Sequence, residues 1–295
     1  MAIKVIHDTD IGSDLDDAEA LAYLLAQPEC ELLGVTTVTG DVIKRAQMAS
    51  ALCLAAGKNV PIYPGASEPL LIRQLQPDVP QAIALDRWVH RTDFPTGQAV
   101  EFMRQTIRAN PGEVVLLTTG PLTNVALLFR VDPEIPALLK GLVMMCGVIP
   151  GPALDAQIVE WNSLCDPHAA AIVYGAHVKR HRSIGLNVTV QVRLPRDEFY
   201  QRFAAPGLLP VRDFGDIFFQ TATLSTFHDP LAAATIFDDA LCTFAGGRIE
   251  IDLDSPDPKQ RGRTIWTPDA VGGYHELANM VDTAGFFKHY FSMFE

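Results

Sequence analysis

Apolar positions recur along this chain in two rhythms that take turns. Short runs rich in β-branched residues, bounded by glycine, proline or aspartate, read as strands; stretches in which apolar residues return three and four positions apart read as helices. A first run at residues 3–6 leads into DTDIGSDLDD at 8–17 and then into a periodic stretch at 16–27. There Ala18, Leu21, Ala22 and Leu25 share one face, Asp14 stands where a cap belongs, and Pro28 ends the pattern. Residues 32–38, ended by Gly40-Asp41, and a helix over 46–56 closing at Gly57 repeat the unit, and 60–63 makes a third short strand. Residues 64–97 contain Pro64, Pro69, Pro77, Pro80 and Pro95, show little periodicity, and read as a surface excursion of the kind that forms lids. The rhythm resumes with a helix over 99–109, a strand over 114–118, a helix over 122–129 after Gly120-Pro121, and a strand over 142–146. After a loop at 148–157, Asp166-Pro167 opens a helix through 174, and 183–188 reads as a strand. Helices over 196–203, 213–226 and 231–237, strands over 242–253 and 263–266, and an aromatic helix over 283–294 complete the chain.

This alternation over 295 residues, with no internal repeat and no linker, predicts an α/β fold. The expected architecture is a Rossmann-like, doubly wound, mostly parallel sheet flanked by helices, a single domain over residues 1–295. Ligands bind such sheets beyond the carboxyl ends of the strands. The turns at 8–17, 39–41, 118–120, 146–148 and 228–229 then open on one edge, where their acids can converge.

Composition narrows the partners. With 48% apolar and 20% charged residues the chain can bury a large core, and a net charge of -12 with no basic run longer than two argues against nucleic acid. No uncharged apolar run is long enough to cross a bilayer and the N-terminus enters a strand at once, so no membrane partner and a cytoplasmic location are expected. Cys30, Cys53, Cys146, Cys165 and Cys242 form no CxxC pair and are expected to pack in the core. Small polar substrates fit this balance.

The turn at 8–17 is the chemical anomaly, because Asp8, Asp10, Asp14, Asp16 and Asp17 fall within it. Two carboxylates about 4 Å apart repel by roughly 4 kcal/mol at an effective dielectric of about 20, so such a cluster faces water, holds protons or surrounds a cation. Acids in a first helical turn contribute about 0.3 to 1 kcal/mol each, which accounts for Asp16 and Asp17 but not for five. An EF-hand would use Asp8, Asp10 and Glu19, yet Ser13 occupies the position that needs glycine and a strand precedes the loop. A phosphatase with an Asp-x-Asp nucleophile would want small and hydroxyl residues where Ile11-Gly12 stand.

The same residues resemble those of the calcium-dependent, inosine-uridine preferring nucleoside hydrolases, and the resemblance runs nearly the whole length. DTDIGSDLDDA is similar to that family's opening Asp-x-Asp-Pro-Gly-x-Asp-Asp-Ala turn, with Ile11 for the proline and two extra residues before Asp16. TTVTGD at 36–41, TTGPLTN at 118–124, MCG at 145–147, EWNSLCDPHAA at 160–170, GLNVT at 185–189 and HDPLAAA at 228–234 resemble its later motifs in order. The resemblance implies hydrolysis of the N-glycosidic bond of ribonucleosides to ribose and free base. It implies Ca2+ held by Asp10, Asp17, the backbone carbonyl of Thr119 and Asp229, with places left for a water and two ribose hydroxyls. Three carboxylates on a dication leave one net negative charge, suited to an oxocarbenium-like transition state. Asp10 would deprotonate a calcium-activated water, Asp16, Asp41, Glu160 and Asn162 would hold the ribose, and His228 would protonate the departing base.

Other features favour plain structural jobs. Asp8 and Asp14 are expected to hold the turn, Asp166-Pro167 to start a helix, and Met144-Met145 and the stripe Phe286, Phe287, Tyr290, Phe291, Phe294 to pack. That stripe and the family resemblance also suggest a homodimer or homotetramer. Two departures limit the resemblance: Leu154-Asp155 stands where the family often has an asparagine, which leaves contacts to the sugar's 5′ end open, and Trp88 and His90 occupy a poorly matching stretch at 70–97, which leaves base preference open. A protein that binds nucleosides without turning them over remains the non-catalytic alternative.

Overall fold

The computed structural model describes residues 2–149, 154 and 158–295. Most of the expected loop at 148–157, including Asp155, therefore lies outside the described residues. Among the described residues eleven strands form, numbered in chain order: β1 (Ile3–Thr9), β2 (Cys30–Thr37), β3 (Ile62–Pro64), β4 (Val114–Thr118), β5 (Gly141–Met144), β6 (His181–Ser183), β7 (Arg193–Pro195), β8 (Leu224–Thr226), β9 (Cys242–Asp252), β10 (Arg263–Pro268) and β11 (His275–Val281). Nine of them make one sheet in the order β10-β9-β11-β6-β5-β4-β1-β2-β3. The run from β3 to β11 is parallel throughout, and β9 and β10 extend it by antiparallel pairing.

The expected doubly wound architecture is therefore present. Alternate residues of the central strands serve opposite faces: Val115 and Leu117 pack with Val5, Val35 and Val143 in one core, while Val114 and Leu116 pack with Ile6, Leu142 and Met144 in the other. Burial on both faces is why these strands read as continuous apolar runs instead of alternating ones. Four helices follow the early strands as anticipated: α1 (Asp16–Ala26), α2 (Val42–Ala55), α3 (Ala99–Ala109) and α4 (Thr123–Val131). The strand order around β1 and β4 reverses direction between them, and that reversal is the crevice in which doubly wound sheets bind ligands.

Several boundaries differ from the sequence expectation. Residues 183–188 do not form one strand: β6 ends at Ser183 and a helical turn, Leu186–Thr189, follows. The helix expected over 213–226 starts earlier, at Leu209–Phe218, where Pro210 suits a first turn, and Leu224–Thr226 instead pairs with β7. The helix expected from residue 231 begins three residues sooner, at His228–Ala234, which places Asp229 in its first turn. Strand β11, HELANMV, was not anticipated because few of its residues favour strands; neighbours on both sides hold it extended. Among the described residues no helix is long and apolar enough to cross a membrane. All five cysteines are free, four of them buried.

The excursion at 65–97 is not a loose surface loop. It contains a 3-10 helix, Pro80–Arg87, and buries Gln76, Val79, Gln81, Ala84, Leu85 and Phe94. Two glycines with left-handed backbone make room for it. At Gly40 (φ +62) a Cβ would overlap the carbonyl oxygens of Gln76 and Pro77, and at Gly12 (φ +114) it would meet Val79 and Met48. The terminal aromatic stripe is largely interior: Phe286, Tyr290 and Phe291 are buried and pack on Phe203 and Phe227, while Phe287 and Phe294 are half-buried.

Gly40→Ala is expected to destabilise the protein by at least about 2 kcal/mol, about half from left-handed backbone and the rest from displacing the excursion. A lower urea midpoint at constant m-value checks this; an unchanged midpoint would show that the excursion yields without cost.

Candidate active site

Register brings the ends of the central strands level. Asp8 lies opposite Thr118, and Thr118 opposite Met144, so the segments after β1, β4 and β5 emerge together. They enclose a cavity of about 460 Å3. Its acidic pole is formed by Asp10, Asp16, Asp17 and Asp229, with Asp14 on the exposed rim. Asp16 and Asp17 come from the first turn of α1 and Asp229 from the first turn of His228–Ala234, two helices that pack on each other with their N-termini at the cavity. Helix N-termini favour negative charge, so both ends support the acids they carry.

Asp16, Asp17 and Asp229 each bring a carboxylate oxygen within 4.8 Å of the other two, and all three are buried. Burial, followed by mutual repulsion with neighbouring acids, pushes all three well above the ordinary carboxylate range. Three such groups with only oxygen donors fit a hard divalent cation. Asp17 is aimed by hydroxyls: Thr9 and Thr119 both donate to its Oδ1, the latter at 2.9 Å. Asp16 Oδ2 accepts the backbone N–H of Asp229 at 3.4 Å, tying the two helix ends together.

Asp10 sits in the same cavity but outside that triplet. Its Oδ2 accepts from Gln76 Nε2 at 2.7 Å, and a Cβ on Gly120 would come within 2.8 Å of its Oδ1, so glycine there leaves room for the carboxylate. The backbone carbonyls of Asp10, Ile11 and Thr39 all accept from Arg45, which is fully buried. Sequence reasoning passed over Arg45, because a basic residue on an amphipathic helix reads as solvent-facing. It is the buried cation beneath the turn, and Asp10 and Asp17 hold its proton against the pull of burial.

Thr119 is placed by the donation of its N–H to Asp8 O at 2.8 Å, and its hydroxyl meets His7 Nε2 at 3.0 Å. Its carbonyl accepts from Asn162 Nδ2 at 2.8 Å, while the same amide donates to Met145 O at 3.0 Å. Asn162 thus spends both donors on the protein, which leaves its carbonyl oxygen as the acceptor it can offer in the cavity it lines. Glu160 caps the helix Trp161–Cys165: its oxygens accept from the backbone amides of Asn162, Ser163 and Gly147. His228 lines the cavity, with Nδ1 at 2.6 Å from Thr189 Oγ1. Burial and then nearby Arg193 push this histidine down to about 4, so it is a neutral imidazole at pH 7.

The expectation for Asp41 is corrected. It does not line the cavity; it caps α2, accepting from the N–H of Lys44 at 3.0 Å and pairing with the Lys44 ammonium at 3.3 Å. An aspartate directly before free first-turn amides is drawn to them. Asp14 does not cap α1 through the helix amides as expected, but accepts from the N–H of Leu15, the N-cap residue. Trp88 and His90 also lie away from the cavity, Trp88 donating to Asp213 and His90 meeting the Trp88 carbonyl. Asp166 does start a helix, accepting from the N–H of Ala169, and its other oxygen takes Thr123 and Leu70. Asp8 is interior, held by Thr36 and by Asn124 at 2.8 Å, and burial raises it to about 7.

This arrangement can be compared with known proteins. The model of the inosine-uridine preferring nucleoside hydrolases matches residues 5–288. The chain belongs to that family. Among relatives of this nucleoside hydrolase family member, an uncharacterized protein of Schizosaccharomyces pombe is 37% identical over 184 residues, covering 60% of this chain and 59% of that protein. Uridine nucleosidase 1 of Arabidopsis thaliana is 32% identical over 210 residues, covering 67% of this chain and 60% of that protein. The matched segments thus span about three fifths of these two relatives. The purine-preferring ribonucleoside hydrolase of Gardnerella vaginalis superposes over 99% of this chain and 98% of its own, with a TM-score of 0.81 and 27% identity.

A cation and protons compete for the acid triplet, and this fixes the sign of a pH effect. Carboxylates whose folded pKa is raised favour the metal-free fold at low pH, and that contribution fades as pH rises through the elevated values. Stabilisation by Ca2+ is therefore expected to be small at pH 5 and to grow towards pH 8. Thermal unfolding with and without Ca2+ across this range checks it; a shift independent of pH would place the ion elsewhere.

Proposed function

We propose that the protein hydrolyses the N-glycosidic bond of ribonucleosides, releasing ribose and free base, with Ca2+ held among Asp10, Asp17, the Thr119 carbonyl and Asp229. The observation that carries this reading is the buried, oxygen-only acid cluster at the topological switch point, lodged in a chain of this family. Asp16 lies within reach of the same ion and serves either it or a sugar hydroxyl. When bound, the ion offsets the crowded carboxylates and makes a water beside it more acidic.

Asp10 is the base. Its carboxylate is buried, which raises its proton affinity, and Gln76 holds one oxygen so that the other can take a proton from the attacking water. Positive charge develops on the sugar as the glycosidic bond breaks, and the acids around it stabilise that charge without reorganising. Asn162 turns a carbonyl oxygen to the ribose hydroxyls, and Glu160 supplies a further acceptor from its capped position. Instead of the proton expected of it, His228 gives the departing base a hydrogen bond, donated by a neutral imidazole whose other nitrogen is held at Thr189; the base leaves as its anion and takes up, through solvent, the proton that Asp10 removed from water. Reorienting the sugar after each of these groups is set would cost entropy, so their prior placement is part of the catalysis.

Self-association into a homodimer or homotetramer is supported by exposed Ile265 and Val271 near the free edge strand β10 and by exposed Met280 on β11. Sedimentation at micromolar concentration should give a mass at least twice that of the 32.2 kDa chain.

Incubation with uridine, inosine and other ribonucleosides is expected to release free base, and exhaustive chelation to abolish that release. Asp10→Ala should lower kcat by about 100-fold or more, in the range for loss of a general base. Tight binding of every nucleoside with no product would make the protein a binder, and turnover untouched by chelation would remove the ion from the reaction.

A further inference from the structure

The excursion meets the aspartate turn through a latch that none of the expected site residues supplies. Gln76 is buried, and every polar atom of its carboxamide is used. Nε2 donates to Asp10 Oδ2 at 2.7 Å and to Ser13 Oγ at 2.8 Å, while Oε1 accepts from the indole N–H of Trp161. Its backbone is fixed as well: its N–H donates to Gln74 Oε1 at 2.7 Å, and its carbonyl occupies the space that Gly40 leaves bare. Further along the same segment the N–H of Gln81 donates to Gly12 O at 3.2 Å, and the Ser13 hydroxyl donates to Asp78 O at 3.4 Å. Residues 76–81 are thus fastened to the turn at both ends. A side chain so placed cannot rotate without breaking three hydrogen bonds.

Trp161 is the other half of the arrangement. It lies on the cavity wall and is 48% exposed, so its ring face is open while its N–H is bonded. Val159 and Leu186 add apolar surface to the lining that the acids share. An aromatic base attached to a sugar held by those acids has this wall left to it.

We propose that Gln76 is a positioning residue, one carboxamide that orients the Asp10 carboxylate through its N–H groups and the Trp161 indole through its carbonyl. This rests on the hydrolytic reading above, and it adds that the base which activates water and the wall which meets the leaving group are set by one side chain. A planar amide has its donor and acceptor on opposite sides at a fixed spacing, so a shift at one end is passed to the other. Serine, leucine or glutamate cannot do both jobs: glutamate keeps the acceptor for Trp161 and loses the donors for Asp10, and leucine loses all of them.

The experiment compares the Ca2+-loaded wild type with Gln76→Leu, Gln76→Glu and Trp161→Phe, using uridine and inosine. Misplacement of a reacting group by about 1 Å costs on the order of 100-fold, so Gln76→Leu is expected to lower kcat by about 10- to 100-fold and to raise KM as well. Gln76→Glu should lower kcat at least as much while changing KM less, because the indole keeps its acceptor. Trp161→Phe, which retains a ring but no N–H donor, should act mainly on KM, raising it about three- to tenfold. A Gln76→Leu enzyme with wild-type kcat, or a loss in all three variants confined to one parameter, overturns the proposal. The latch is also read without substrate: with Trp88 and Trp266 replaced by Phe, the emission of Trp161 should shift in Gln76→Leu and stay in place in Gln76→Glu. No shift in either breaks the Gln76–Trp161 arm, whereas the shift in Gln76→Leu together with a wild type that releases no base refutes the hydrolytic reading and leaves the latch standing.

Discussion

Burying several carboxylates at one point is the constraint from which the rest of this structure follows. Asp10, Asp16, Asp17 and Asp229 are all buried, and each is pushed upward by loss of water before any other cause. A fold can tolerate such a cluster only if positive charge or oriented dipoles are brought to it. The chain brings both. Two helix N-termini point at the acids, and the Arg45 guanidinium lies buried beneath the turn, bonded to three of its neighbouring carbonyls. What these leave uncompensated is what a divalent cation would take.

The surroundings of the cluster are organised to hold it still. Thr9 and Thr119 aim Asp17, the Asp229 amide meets Asp16, and Gln76 meets Asp10. Beneath them Asn124 ties Asp8 to the Thr37 carbonyl and to the amide of Ala66, so that β1, β2 and the start of the excursion move as one body. Several of the residues that line the cavity also cap helices or bridge loops. Glu160 is the plainest case, since its two oxygens serve three backbone amides at the floor of the cavity. Precision in a site of this kind comes from side chains whose rotamers are already spoken for.

The strand and helix pattern was legible wherever periodicity was strong, and α3 and β4 fell on the residues anticipated for them. It failed where neighbours overrode local preference: β11 has little strand character, and the helix at His228 begins ahead of its apolar face so that Asp229 can reach the acids. Among the site residues, the charge excess of the turn was visible as composition, and His228 and Asp229 entered only through the family resemblance. Asp41 was misplaced because an aspartate after glycine looks the same whether it caps a helix or faces a ligand. Arg45 and Gln76 left no signal at all. One reads as a surface position on a helix and the other as one polar residue in an irregular stretch.

Covalent order along the chain thus accounts for the fold class, for the doubly wound alternation and for the gathering of aspartates after the first strand, because these depend on periodicity and on which residue types are adjacent. The partition of work among those aspartates is not encoded at that range. Asp17 and Asp229 become neighbours only when the sheet sets β1 beside β4 and packs α1 on His228–Ala234. Asp10 meets Gln76 only because the excursion folds back to the turn. Carboxylates respond to charges and donors within a few ångströms, and in a folded chain those come from residues far away in sequence.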